Sequence, residues 1–259
     1  MRFNVVDLGH IPFKEAFCRQ HVLHAQVLSG ALPHTLILCE HPHSITLGRG
    51  ARASSIIDYA SIAKRNINFI IGVDRGGEVT YHGPGQLMGY LLFDLRELGR
   101  NLGWFLNRIE EVLIETLSLY GMQAYRKSGF RGVWVENRKI ASIGIGVQKW
   151  VSLHGFGLNV STDLSFFNII KPCGLDVEMT SMGKESGGSV SIERVKRAII
   201  LKTAATFGLM YNLDDEQSGI GQQLTQIPVR RDPLFRRFGI KEGEVFDGKS
   251  SLTGIRRRY

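Results

Sequence analysis

Cysteine is scarce in this chain: three in 259 residues, at Cys18, Cys39 and Cys173, with no CxxC pair. An odd, scattered set argues against a disulfide framework and against a thiolate metal cage, so each cysteine has to be explained singly. Long apolar runs are missing as well. The densest stretches, Ile67 to Val73 and Leu87 to Leu95, are interrupted by Asn68, Gly72 and Gly89, well short of the ~18 consecutive apolar residues of a membrane span. The opening MRFNVVDLGH has one Arg and no apolar core of signal length; neither export nor import is indicated, and a cytoplasmic location is expected. The histidine pairs His21/His24 and His41/His43 lack acidic or cysteine partners at ligand spacing, so no metal site is expected. Neither a GxxxxGK(S/T) phosphate loop nor a dinucleotide fingerprint occurs.

With 43% hydrophobic and 22% charged residues, the composition is that of an ordinary folded protein, which excludes disorder and fibre. The length is enough to bury a sizeable core without staples. The net charge is +8, and the last 32 residues alone carry nine Lys/Arg against four Asp/Glu. Such a surface suits an acidic partner, whether nucleic acid, anionic membrane or acidic protein. The arginine clusters of this tail match no nucleic-acid motif. We expect one α/β domain over residues 1–214, followed by a basic C-terminal extension over 215–259 whose role is not legible.

Within the domain, Phe3 to Leu8 reads as a strand and Pro12 to Leu28 as a helix opened by its proline. Short strands are expected at Thr35 to Cys39, Ser44 to Leu47 and Ile67 to Ile71. Asn101 to Gly121 is the clearest helix, with Phe105, Ile109, Val112, Leu113 and Leu117 at three- and four-residue spacings and Asn101 as a cap. Gly132 to Glu136 and Lys139 to Val147 read as a hairpin with Ser152 to Val160 beside it. A last helix, from about Ser191 to Phe207, is expected to bury Val195, Ala198, Ile199, the Lys202 stem, Ala205 and either Thr206 or Phe207.

Residues 75 to 89, RGGEVTYHGPGQLMG, pack five glycines and a proline around polar side chains. Glycine there lets backbone approach a ligand closely, or the segment is simply a tight hairpin with a polar rim. Cys173, between Pro172 and Gly174, is either inert packing or a nucleophile that needs a basic neighbour to lower its pKa from ~8.5. Lys139, His82 and His154 are the candidates. Lys139 opens KIASIGIGV, where burial would lower its pKa and permit acid/base work, or it is an exposed lysine on a hairpin shoulder. In SLHGFGLNV, Gly155 and Gly157 interrupt a strand, suggesting a close approach, while His154 is equally a core histidine.

Taken together, EHPHSITLGR (40–49), RGGEVTYHGPGQL (75–87), GVWVENRKIASIG (132–144), HGFGLNV (154–160) and PCGL (172–175) resemble the lipoate-biosynthesis octanoyltransferases in order and spacing. The resemblance implies the fold of biotin and lipoate ligases: an α/β (α+β) architecture with a mostly antiparallel sheet, flanking helices and a smaller second sheet. It implies transfer of an octanoyl group from octanoyl-acyl carrier protein to a lysine of the lipoyl domains of 2-oxoacid dehydrogenases or of the glycine cleavage H protein, with no cofactor. Cys173 would be the acyl-thioester nucleophile and Lys139 its acid/base partner. The acyl tunnel would be lined by Arg75, Gly76, Gly77, Glu78, Val79, Thr80, Tyr81 and His82, with Ser142, Ile143 and Gly144 and with Gly155, Phe156 and Gly157. Gly157 stands where that family's motif carries alanine. A monomer that binds neither nucleic acid nor a membrane is expected. Two competing readings are an ATP-dependent lipoate or biotin ligase on the same fold, and a non-catalytic binding module using the arginine-rich tail.

Overall fold

Apolar and β-branched runs punctuated by glycine and proline produce ten strands and five α-helices, which a computed structural model describes over residues 1–70, 73–171 and 177–211. In chain order they are β1 (Phe3–His10), α1 (Phe13–Leu28), β2 (His34–Glu40), β3 (Ser44–Leu47), α2 (Tyr59–Lys64), β4 (Asn68–Ile70), β5 (Val79–His82) and β6 (Gln86–Leu92). There follow α3 (Leu102–Ser118), β7 (Ala124–Lys127), β8 (Phe130–Val135), β9 (Arg138–Gln148), β10 (Val151–Asn159), α4 (Met182–Ser186) and α5 (Ile192–Phe207). Cys173 and the basic extension expected over 215–259 lie outside the described residues.

Seven strands form the main sheet in the order β1-β2-β6-β10-β9-β8-β7, and three form a second sheet, β4-β3-β5. In the main sheet β1–β2 is parallel and the other pairs are antiparallel. The mixed architecture with a small second sheet agrees with the fold expected from sequence. Helix α1 packs on β2, β6 and β10, while α3 packs on β7, β8 and β10 and against α5. A large core including Phe93, Phe105, Ile109, Leu113, Phe156 and Ile199 fills the α3/α5 side. A second, with Ile45, Val79, Tyr81 and Phe167, fills the small sheet.

The helix ends follow side-chain chemistry. Asn101 Oδ1 accepts from Trp104 N at 2.9 Å and caps α3, Ser191 caps α5 by accepting from Arg194 N, and α5 stops at Gly208 in the left-handed region. Pro12 occupies the cap of α1 rather than its first turn. On α5 the buried stripe runs through Val195, Ile199, Thr203 and Phe207, a period of four that leaves Ala205 on the exposed side, against expectation.

The glycine-rich segment is not a hairpin. Gly83-Pro84-Gly85 separates β5 from β6, but β5 pairs with β3 in the small sheet and β6 with β2 and β10 in the large one. The turn is pinned where Gly85 N donates to Glu40 Oε2 at 2.8 Å and Gly85 O accepts from Val160 N and Ser161 N. Switching sheets at this point opens a gap between them, and the gap is the pocket.

Candidate active site

The pocket is a cleft of about 560 Å³ with open solvent included. Arg75, Gly76, Gly77, Glu78, Val79, Thr80 and His82 line one side, and Ser142, Ile143, Gly144, Gly155, Phe156 and Gly157 the other. Phe13, Gln86, Met88, Tyr90 and His154 complete it. Tyr81 stands apart from the residues expected with it. Strand alternation carries its ring into the small-sheet core, where it stacks on Phe166 at 5.0 Å and its hydroxyl lies 2.7 Å from His43 Nδ1. Burial pushes that hydroxyl's pKa well above the usual range.

A directed chain of hydrogen bonds closes the small-sheet side. Arg75 Nη2 donates to Thr46 O and Oγ1 at 2.8 and 2.9 Å, and Thr46 Oγ1 stands 3.1 Å from His82 Nε2. His82 Nδ1 is 3.0 Å from Gln86 Oε1, Gln86 Nε2 donates to Asn159 Oδ1 at 2.9 Å, and Asn159 Nδ2 donates to Thr180 O at 2.9 Å. Because the guanidinium can only donate and Gln86 Nε2 donates onward, His82 gives its Nδ1 proton to Gln86 and receives Thr46's hydroxyl at Nε2. That neutral tautomer is the one its surroundings favour: burial, then neighbouring His41 and Arg75, push the His82 pKa well below the usual value. Thr46 and Asn159 are not among the site residues expected from sequence, although each sits inside one of the family-like motifs.

At the opposite end Asp74 accepts from His154 Nε2 at 2.6 Å and from Gln148 Nε2 at 3.1 Å, with His21 Nε2 at 3.8 Å. Burial works to raise the Asp74 pKa, but the His154 bond and the charges of His154, His21 and Arg49 outweigh it and hold the carboxyl below its usual value. His154 has φ +61° inside β10, an uncommon conformation for a residue with a side chain, and its N–H donates to Gln20 Oε1.

Lys139 is 3% exposed and reaches the pocket side of β9 through a bulge. Val133 pairs with Ala141 and Trp134 with Lys139, so β9 spends two steps where β8 spends one. Ile140 and Ala141 then both face the large core, which returns Lys139 to the same face as Ser142 and Gly144. The lysine's backbone is clamped from the other flank: its N–H donates to Glu178 O at 2.8 Å, its carbonyl accepts from Thr180 N at 2.9 Å, and it bridges in parallel with Met179. Of the three basic neighbours considered for Cys173, His82 and His154 are thus committed to other partners, and Lys139 lies along the chain that follows the cysteine.

Among the described residues no three His, Cys, Asp or Glu side chains stand together to hold a metal ion, and no helix is long and apolar enough to cross a membrane. Residues 12–204 match the model of the lipoyl protein ligase A/B catalytic domain. The chain is 44% identical over 197 residues to an octanoyltransferase of Geotalea uraniireducens, covering 76% of this chain and 89% of the relative. It is 46% identical over 176 residues to an octanoyltransferase of Solibacter usitatus, covering 68% and 80%. In fold it resembles a lipoate-protein ligase A solved with ATP bound, at 17% identity and a TM-score of 0.63 over 88% of this chain and 96% of the other. It also resembles a bi-partite lipoate protein ligase of Thermoplasma acidophilum, at 17% identity and a TM-score of 0.60 over 94% and 98%. On the length and level of these matches, this chain belongs to the octanoyltransferases, an acyltransferase family within the lipoyl protein ligase A/B catalytic-domain group.

Proposed function

We propose that this protein moves an octanoyl group from octanoyl-acyl carrier protein to the lysine of a lipoyl domain, by way of a thioester on Cys173, with Lys139 as acid and base. Acceptors are the lipoyl domains of 2-oxoacid dehydrogenases and the glycine cleavage H protein. The observation that carries the reading is the Lys139–Met179 bridge, which holds a buried lysine beside the chain six residues beyond the cysteine, on the face that lines the pocket.

The neutral amine of Lys139 takes the Cys173 proton, and the thiolate attacks the thioester carbonyl of the loaded carrier. The tetrahedral adduct collapses, the carrier sulfur leaves, and the Lys139 ammonium returns the proton to it. One thioester has replaced another, so the step is close to thermoneutral and calls for proximity and a good nucleophile rather than a nucleotide. In the second half the acceptor's neutral lysine amine attacks the acyl-enzyme, the C–S bond breaks, and the amine's proton passes through Lys139 to the Cys173 sulfur. The amide formed is more stable than the thioester and draws the sequence forward. A net charge of +8 favours encounter with acidic protein substrates, so kcat/KM falls as ionic strength rises.

The test is incubation with octanoyl-loaded acyl carrier protein, without ATP, read by intact mass. Wild type acquires one hydroxylamine-labile octanoyl group, Cys173→Ser loses it, and Lys139→Ala acquires it at least 100-fold more slowly, the range of general acid–base catalysis. Labelling that appears only with free octanoate and ATP would replace this reading with that of a ligase.

A further inference from the structure

The chain enters the cysteine segment at Lys171 and leaves it at Val177, and the two ends are tied to different sheets. On the leaving side the backbone of Lys139, in β9 of the large sheet, holds Glu178 and Thr180. On the entering side the tie is to the stretch that follows β3. Ile56 bridges antiparallel with Ile170, Ile57 N donates to Ile169 O at 2.9 Å, and Lys171 N donates to Ser55 O at 2.8 Å. Lys171 stands two residues before Cys173, and two residues reach at most about 7 Å. The Ser55 carbonyl therefore fixes where the segment of the cysteine begins.

Ser55 is held in turn by a side chain of the pocket wall. It closes a single 3₁₀ turn, Ala53–Ser55, and is 3% exposed. Its Oγ donates to Glu78 Oε2 at 2.8 Å, across 23 residues of sequence. Glu78 lines the pocket between Gly77 and Val79. The backbone of Glu78 is itself anchored, because its carbonyl accepts from Gly48 N at 2.9 Å just beyond the Leu47/Val79 pair that ends the β3–β5 ladder. A buried hydroxyl that loses its acceptor is left desolvated and unpaired, so Ser55 follows the carboxylate. The result is an unbroken path from the pocket wall to the cysteine segment: Glu78 side chain to Ser55 side chain, then Ser55 carbonyl to Lys171 N–H. Ile56, Ile170 and Met179 all pack in the small-sheet core. Both ends of the segment thus rest on one apolar floor and are steered by separate polar ties.

We propose that Ser55 and Glu78 are positioning residues for Cys173: through the backbone of Lys171 they set where the cysteine segment leaves the small sheet, and hence how the thiol meets the acyl thioester. The proposal rests on Cys173 being the acylated nucleophile, and the experiment separates the two. Formation of the hydroxylamine-labile adduct from octanoyl-loaded acyl carrier protein, without ATP, is timed by intact mass over a range of carrier concentrations, with the labelled residue located by peptide mapping. The full chain is compared as wild type, Ser55→Ala, Glu78→Ala, Glu78→Gln and the Ser55→Ala/Glu78→Ala double variant. Misplacing a nucleophile by about 1 Å costs up to ~100-fold, so Ser55→Ala lowers the limiting rate of acylation about 10- to 100-fold while KM stays within about 2-fold. Glu78→Ala lowers that rate as much. Glu78→Gln, whose amide oxygen still accepts the hydroxyl proton, loses less than Glu78→Ala. The double variant is no slower than the slower single one, since both substitutions break the same bond.

Losses that multiply in the double variant overturn the proposal, as does a loss carried by KM alone or a Glu78→Gln variant as slow as Glu78→Ala. Glu78 is half-buried and outside the small-sheet core, so the ranking of its two variants tests the bond even if Ser55→Ala fails to fold. A wild-type adduct on Cys173 that Ser55→Ala forms equally fast leaves the thioester reading standing and overturns the positioning alone. A wild-type chain that takes its octanoyl group on another residue, or not at all, overturns both.

Discussion

Where β10 walls the pocket, backbone lies against backbone: a Cβ at Gly155 would stand 2.0 Å from Gly89 O on β6. Where the small sheet walls it, side chains do the closing, through Arg75, Thr46, His82, Gln86 and Asn159. The first wall is specified by the absence of atoms and the second by the pairing of polar atoms. They should therefore fail differently, one by steric separation of strands and the other by loss of hydrogen bonds or by protonation.

The largest effect belongs to the first wall. In Gly155→Ala the new methyl meets Gly89 O and also Leu91 Cδ1 at 3.0 Å, and a strand cannot yield as a flexible side chain does. We expect a loss above about 4 kcal/mol, a large fraction of the 5–15 kcal/mol that holds a domain folded. Denaturant unfolding, or recovery of insoluble protein, measures it; near-native stability would mean β6 and β10 are not so tightly apposed. Next comes Gln86→Leu in the second wall, which strands His82 Nδ1, Asn159 Oδ1 and Tyr81 O. Unpaired buried groups of this kind cost about 3 kcal/mol together, read as a lower denaturant midpoint with an unchanged slope.

How much of this contrast is legible in the sequence depends on which interactions are local. The helices and the β8–β9–β10 meander show in periodicity, and Asn101 and Ser191 announce their caps. The sheet switch at Gly83-Pro84-Gly85 does not, because the same three residues suit a hairpin loop and only pairing with distant β3 and β2 decides between them. Nor does the bulge at Ile140, although a trace of it is there: Ile140 is out of phase with Ile143 and Ile145, which a regular strand could not send to the same core. Tyr81 lies in a segment expected to line the pocket, and the alternation of β5 turns it to His43. The relay is half visible, since His82 and Gln86 fall in the glycine-rich motif while Thr46 and Asn159 come from motifs 36 and 77 residues away from His82.

Protonation breaks the second wall more gently. His41 is 0% exposed beneath it, with Nδ1 2.7 Å from Ile11 O and Nε2 2.6 Å from Tyr90 Oη. The carbonyl needs the Nδ1 proton, so Nε2 accepts from the phenol and the ring is neutral. Burial lowers its pKa to about 4, against about 6.5 in the unfolded chain. Between those values the unfolded state binds the proton and the folded state does not, so stability is full above pH 7 and falls with acidification through this window. From pH 7 to pH 5 His41 accounts for a loss of about 2 kcal/mol. His24, His34 and His82, whose pKa values are also lowered mainly by burial, act in the same direction. The difference in pH dependence between wild type and His41→Gln isolates one histidine from the rest; parallel curves would show that His41 is not held neutral.

The smallest effect is the most informative about the pocket, because it falls where the two walls meet. A Cβ at Gly157 would lie 3.1 Å from Gln86 Oε1 and 3.2 Å from Met88 Sδ, tight contacts but not collisions. Met88 is flexible and can withdraw by a few tenths of an ångström, whereas Gln86 is tied to His82 and Asn159 and cannot follow freely. Gly157→Ala, which restores the residue expected from the family motif, should therefore cost less than about 1 kcal/mol. Both neighbours line the pocket, so its width changes where its stability hardly does. Across a series of acyl carriers differing in chain length, the alanine variant should lose kcat/KM for the longest chains first while the shortest are transferred as before. Equal losses at every length would mean that Met88 moves away from the acyl path, and that the glycine tunes the relay rather than the tunnel.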